Sequence, residues 1–366
     1  MTLLARRIAD DIKQNGAMSL ATYMHRALTD CEDGYYIQQK PFGKDGDFVT
    51  APEISQLFGE MLGAWLMDLW QRMGQPAPFC LLEMGAGRGT LMADILRTTH
   101  IMPAFMEAAQ IHFIEISPAL CAAQKEQVMP YTKSAFWHSD LNNLPPLPTL
   151  FVANEFFDAL PIQQFHYTKS GWQEVMITCS DIGGDKALVF TQTGTPTPTQ
   201  ALPTQAQSGD IIEQCPDAIA LITQLAHHIK DYKGAGVIID YGYHTIYEEG
   251  TGGDTFQAVQ HHKKLDTEAA LNLAGLVDLT AHVNFTALEH ATQKDAVRTA
   301  YTTQGAFLQA LGIAIRTDNL KQTSPAKADA ITSEYHRLTQ PDQMGQLFKV
   351  LALAHPDCPP LAGFAL

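Results

Sequence analysis

Leu81-Leu82-Glu83-Met84-Gly85-Ala86-Gly87-Arg88-Gly89-Thr90-Leu91 is an apolar strand that ends in an acid and breaks into alternating glycines before a helix. A chain that passes straight from strand to helix while a ligand lies against its backbone needs residues without a Cβ that can take positive φ. Gly85, Gly87 and Gly89 supply them. A dinucleotide turn wants G-x-G-x-x-G, with a pyrophosphate on the helix N-terminus, but the third glycine position here is Thr90. Glu83 would also repel a pyrophosphate, whereas it suits a ligand that carries positive charge. S-adenosylmethionine (SAM), with a sulfonium and an ammonium, is such a ligand, so methyl transfer is the leading reading. A different nucleotide or a purely structural turn is the alternative at this point.

Outward from that turn, Ile111-His112-Phe113-Ile114-Glu115 is a second apolar run ending in a carboxylate, where a fold of this kind places an acid on ribose hydroxyls. Glu115 is that candidate; a solvated strand-end glutamate is the alternative. A third apolar segment ends near Ser139-Asp140-Leu141, where Asp140 and Leu141 could reach an adenine ring, or Asp140 could simply cap a turn. Leu150-Phe151-Val152-Ala153 is a fourth buried strand, followed by Asn154-Glu155-Phe156-Phe157-Asp158-Ala159-Leu160-Pro161 at the carboxyl edge, where open α/β sheets bind ligands. Asn154 joins the cofactor candidates. Glu155 and Asp158, separated by two aromatic rings, could clamp and stack a guanidinium. The competing reading puts both phenylalanines in the core and makes Asp158 a turn cap. Gly234 to Gly242 reads as a fifth parallel strand whose end presents Asp240 and Tyr241 to the same edge.

The pattern predicts an α/β chain with a mostly parallel, Rossmann-like sheet, an N-terminal helical extension and an inserted β-rich region. Residues 1–75 read as a helical cap and 76–366 as the sheet domain, interrupted by a hairpin and loop insertion at about 162–233. In the cap, two short amphipathic helices precede a longer one that Pro52 opens, with Leu57, Phe58, Leu62, Trp65 and Leu69 on one stripe. Lys40 to Thr50 suits a lid or a plain turn. Gln164 to Thr178 alternates like antiparallel strands, Gly183-Gly184-Asp185 is a turn, and 191–208 has little to bury. Gln346 to Leu353 reads as a closing edge strand.

Composition narrows the classes. With 24 basic against 39 acidic side chains and a formal net charge of −15, the 366-residue chain should repel nucleic acid. Six scattered cysteines without a C-x-x-C pair indicate neither a zinc site nor a disulfide framework. His227-His228 and His261-His262 are adjacent pairs whose side chains diverge, so no metal is expected. There is no apolar run of 18 residues, and Asp10 and Asp11 soon follow the N-terminus, so no membrane insertion and a cytoplasmic location are expected.

Several segments together resemble one family, the MidA-type SAM-dependent methyltransferases, which include a mitochondrial complex I assembly factor that methylates protein arginine. The resemblance is carried by Gly34-Tyr35-Tyr36, the 46–53 stretch from Gly46 to Glu53, Phe58-Gly59-Glu60, the Glu83 to Thr90 turn, Glu115-Ile116-Ser117-Pro118, and Ala153 to Pro161. Ile239-Asp240-Tyr241-Gly242, Asp278 to Val283 and Met344 to Lys349 extend it over most of the chain, and Gly252 to Val259 echoes it as a candidate border of the acceptor pocket. It implies a class I methyltransferase fold, SAM as cofactor, and an arginine on a protein, such as a respiratory complex I subunit, as acceptor. Ala86 stands where the family is expected to carry proline, and Asn284 where an aspartate is expected. A methyltransferase for small molecules, or a SAM-binding assembly factor without turnover, would use the same cofactor site.

Overall fold

Runs of Val, Ile, Leu and Phe without polar alternation can be stable only where both faces of a strand are covered, and strands of this kind form the middle of a sheet in which seven strands lie side by side. They are β1 (Phe79–Met84), β2 (Ala109–Ile114), β3 (Ala135–His138), β4 (Thr149–Asn154), β5 (Gly234–Tyr243), β6 (Arg298–Thr303) and β7 (Phe348–Ala354). Their order is β3-β2-β1-β4-β5-β7-β6. The first five are parallel, and β7 runs antiparallel to both β5 and β6. The chain leaves β1 toward β2 and β3, then returns to β4 on the other side of β1. This reversal opens a crevice outside the carboxyl ends of β1 and β4, the usual ligand position in such sheets. The expected class I methyltransferase fold is therefore present. The computed structural model describes residues 1–38, 50–182, 185–244, 253–261 and 263–364.

The chain divides into two compact units. The sheet unit comprises Val49–Phe157, Leu221–Gly242 and Phe285–Leu366. One face of its sheet, carrying Leu81, Phe113, Leu150, Val152 and Ile239, packs with Phe58, Leu62 and Trp65 of α1 (Gln56–Arg72) and with Leu91 and Ile95 of α2 (Thr90–Thr99). Each such side chain, fully removed from water, contributes about 1.5–3 kcal/mol. The other unit comprises Met1–Phe48, Asp158–Ala220 and Tyr243–Asn284. Here the helices Leu3–Asn15 and Leu20–Thr29 share one core with antiparallel strands Gly171–Ile182 and Asp185–Thr193, through Tyr23, Met24, Ile177 and Leu188. The fully buried Tyr23 hydroxyl donates to the Leu271 carbonyl at 2.9 Å, which ties the first helices to residues 248 positions away.

The domain boundaries thus differ from the 1–75 and 76–366 division read from sequence. Residues 49–75 belong with the sheet, and the N-terminal helices fold with the insertion, because each helix has its own apolar face to bury. The helix opened by Pro52 stops after one turn, Ala51–Ile54. Ser55 is extended, with φ −154° and ψ 129°, and its hydroxyl caps α1 by accepting from Leu57 N while it donates to Glu334 at 2.7 Å. The strand near residue 350 is an interior strand; the edge is β6, whose Thr-rich, half-exposed sequence carries no strong strand signal. The candidate lid from Lys40 to Val49, the Gly183-Gly184 turn and Gly252 lie outside the described residues.

Candidate active site

Gly85, Gly87 and Gly89 all take left-handed backbone, with φ of +67°, +51° and +86°. The turn therefore needs glycine as expected, but part of the reason lies in the protein rather than in a ligand. A Cβ on Gly85 would come within 2.3 Å of the Phe156 ring, and one on Gly89 within 3.0 Å of the Gln124 backbone in α3 (Pro118–Val128). The missing side chains let the turns after β1 and β4 meet.

Glu83 is only 3% exposed. Burial pushes its carboxyl up to about 8; the Met92 N–H in the first turn of α2 pulls the other way, and the charge of Glu115 adds a little to the rise. Its Oε2 has no hydrogen-bond partner among the described residues. A buried carboxylate oxygen left unpaired beside a bare backbone turn is a site for a cationic donor, and it fits the ammonium that SAM would supply.

Glu115 is held more tightly than a ribose ligand alone would require. Its Oε1 accepts from Ile116 N and Ser117 N, both at 2.9 Å, and its Oε2 accepts from Gln124 Nε2 at 2.9 Å. Burial still raises its pKa despite these bonds. Gln124, fully buried, went unnoticed in the sequence because a single glutamine in a helix carries no signal. Its Nε2 also donates to the Gly87 carbonyl at 2.8 Å, and its Oε1 accepts from Trp137 Nε1 at 2.8 Å. One amide thus joins the glycine turn, the β2 acid and β3. Trp137 in turn stacks on Phe113, ring centres 5.4 Å apart. Asp140 caps a short turn by accepting from Asn142 N at 2.8 Å, and Leu141 is buried beside it. Glu53, also missed, accepts from the hydroxyl of Thr90 at 2.7 Å, just after the third glycine.

At the end of β4, Asn154 is 8% exposed, its Nδ2 donates to Glu155 Oε1 at 3.2 Å, and its Oδ1 has no hydrogen-bond partner among the described residues. Glu155 takes φ +50°, a conformation that costs a non-glycine residue energy and persists only where its surroundings enforce it. They do so here: its N–H donates to Ile239 O at 2.9 Å, and its Oε1 also accepts from Ala51 N at 3.0 Å. Asp240, expected at the ligand edge, binds this turn; its Oδ2 accepts from Phe156 N and Phe157 N at 3.2 and 3.0 Å. The two rings meet edge to face. Asp158 belongs to the other unit, where its carbonyl accepts from Ala281 N, and where it lies near the half-buried Tyr36, which donates to Asp278 Oδ1 at 3.2 Å.

Residues 61–303 match the family described as "Putative S-adenosyl-L-methionine-dependent methyltransferase". The chain belongs to this family. Its cofactor is S-adenosyl-L-methionine, and the unpaired Glu83 oxygen beside the glycine turn fits it. Relatives extend over almost the whole length. Protein arginine methyltransferase NDUFAF7 homolog, mitochondrial, of Drosophila melanogaster is 35% identical, with 99% of this chain and 88% of the relative covered. Its human counterpart, protein arginine methyltransferase NDUFAF7, mitochondrial, is 34% identical, with 96% and 83% covered. A crystal structure from Burkholderia thailandensis, bound to S-adenosyl-homocysteine, has a TM-score of 0.84 at 26% identity, covering 98% of this chain and 93% of that one. The expectation of a cytoplasmic location is overturned by these relatives, whose names place them in mitochondria. Among the described residues, no helix is long and apolar enough to cross a membrane, and no three His, Cys, Asp or Glu side chains gather as a metal would require.

Proposed function

We propose that this methyltransferase modifies a nitrogen of arginine on a protein, and that a respiratory complex I subunit is the acceptor. The observation that carries the reading is the carboxyl edge of β1 and β4, where Glu83 and Asn154 are buried and each has an acceptor oxygen with no hydrogen-bond partner among the described residues. The names of relatives similar over nearly the full chain support arginine as the acceptor. SAM, when bound, supplies an electrophilic methyl on a sulfonium, so the chain has little covalent chemistry to perform. Glu83 would pair with the ammonium, the backbone of Gly85, Gly87 and Gly89 would lie along the cofactor, and Glu115, oriented by Gln124, would take ribose hydroxyls. Asp140 and Leu141 would border the adenine. Glu155 would fix the Asn154 amide. Holding reactants in line in this way is worth up to about 7–11 kcal/mol of barrier.

The test is incubation of the purified chain with methyl-labelled SAM and an extract of cells that lack it, followed by mass spectrometric mapping. Label on arginine of a complex I subunit is expected. Label on a small molecule, on another residue type, or nowhere would overturn the reading.

A further inference from the structure

We infer that the Asn154 side-chain oxygen holds the methyl-accepting nitrogen by accepting a hydrogen bond from one of its N–H groups. This rests on the transfer to nitrogen proposed above. The register places the residue: Val152 pairs with Glu83 across β4 and β1, and Asn154 lies two residues further along β4. Side chains two apart on a strand share a face, so Asn154 and Glu83 project from the same side of neighbouring strands. A buried amide oxygen with no hydrogen-bond partner among the described residues costs free energy comparable to a lost hydrogen bond, which an N–H donor would recover.

The amide cannot satisfy that oxygen by rotating. Its Nδ2 is bonded to Glu155 Oε1, which is itself fixed by Ala51 N, on a residue whose positive φ is enforced by its bond to Ile239. The chain holds a strained glutamate in order to aim a neutral amide. Neutrality matters to the chemistry. Transfer forms the N–CH3 bond as the S–CH3 bond of the sulfonium breaks to leave S-adenosyl-homocysteine, and the guanidinium's extra proton passes to solvent; the amide carbonyl only accepts an N–H hydrogen bond and takes up no proton itself. The cofactor's single ammonium already has a charged partner in Glu83, one strand away. Asn154 is left for the second nitrogen that the reaction must bring in.

The experiment uses the full chain with Asn154→Ala, Asn154→Ser and Asn154→Asp. Calorimetry with S-adenosyl-homocysteine reads the cofactor site, and labelled methyl incorporation into extract protein reads transfer. All variants that melt cooperatively should bind S-adenosyl-homocysteine within twofold of the parent. Asn154→Ala and Asn154→Asp should transfer methyl at least 30-fold more slowly, and Asn154→Ser, which keeps an oxygen acceptor, should fall between. A tenfold weaker S-adenosyl-homocysteine affinity would return Asn154 to the cofactor, and undiminished transfer in Asn154→Ala would remove it from the reaction; either overturns the inference. The parent chain is the control for the proposed function itself, since its own failure to label arginine would be seen before any variant is compared.

Discussion

Replacing Glu83 by glutamine keeps the shape of the side chain and removes its ionisation. In the free protein, burial holds the carboxyl near 8 rather than at its ordinary 4.5. The acid is raised in the folded state, so its contribution to stability is complete below pH 4.5 and is lost as pH climbs toward 8. At pH 7, which lies about 2.5 pH units above the ordinary value, the loss is about 3 kcal/mol at roughly 1.36 kcal/mol per unit. Glu83→Gln escapes that loss, so the stability difference between variant and parent should grow in the variant's favour by about that amount as pH rises from 5 to 8, the other titrating groups being common to both. Binding should move in the opposite sense. On the proposed pairing of the S-adenosyl-homocysteine ammonium with the ionised carboxylate, binding to the parent must expel a proton, and its affinity should rise about 50-fold in all between pH 6 and 8. At pH 8 the variant should bind about 10- to 150-fold more weakly, the equivalent of about 1.5–3 kcal/mol for a charged hydrogen bond. Titration calorimetry in two buffers of different ionisation heat counts the proton directly: close to one released by the parent at pH 7, and none attributable to this site in the variant. Equal affinity and equal proton release in the two proteins would refute the assignment of the unpaired Oε2 to the cofactor.

Two further consequences follow from buried polar contacts. Gln124→Ala deprives Gly87 O, Glu115 and Trp137 Nε1 of their partner, and should cost about 3 kcal/mol in urea unfolding followed by tryptophan fluorescence, with S-adenosyl-homocysteine bound about tenfold more weakly; a loss under about 1 kcal/mol would show that water replaces the amide freely. His112 is bonded to His138 at 2.9 Å and stacked on it, and burial first, then the neighbouring imidazole, holds its pKa down to about 4. Because the unfolded chain takes up this proton near 6.5, stability should fall by about 2 kcal/mol as pH drops from 7 to 5, and thermal melts of His112→Gln should show less of that fall.

The sequence by itself determined the sheet and its ligand edge. Continuous apolar runs need cover on both faces, as a mostly parallel α/β layer gives, and the alternating glycines at 85, 87 and 89 marked a turn of positive φ that favours residues without a Cβ. The sign of Glu83 and the acid ending β2 pointed to a cationic nucleoside ligand before any coordinates. Tertiary structure alone decided what those residues touch. That Phe156 fills the space left by Gly85, that Asp240 binds the turn after β4, and that Gln124 joins three elements are contacts between residues far apart in the chain, and no local periodicity encodes them. The same holds for the two unpaired oxygens. Glu83 and Asn154 are 71 positions apart, and each is an ordinary polar residue at a strand end until the register of β1 and β4 sets them on one buried face. Hydrophobic pattern is a property of neighbours along the chain, whereas polar satisfaction is a property of neighbours in space.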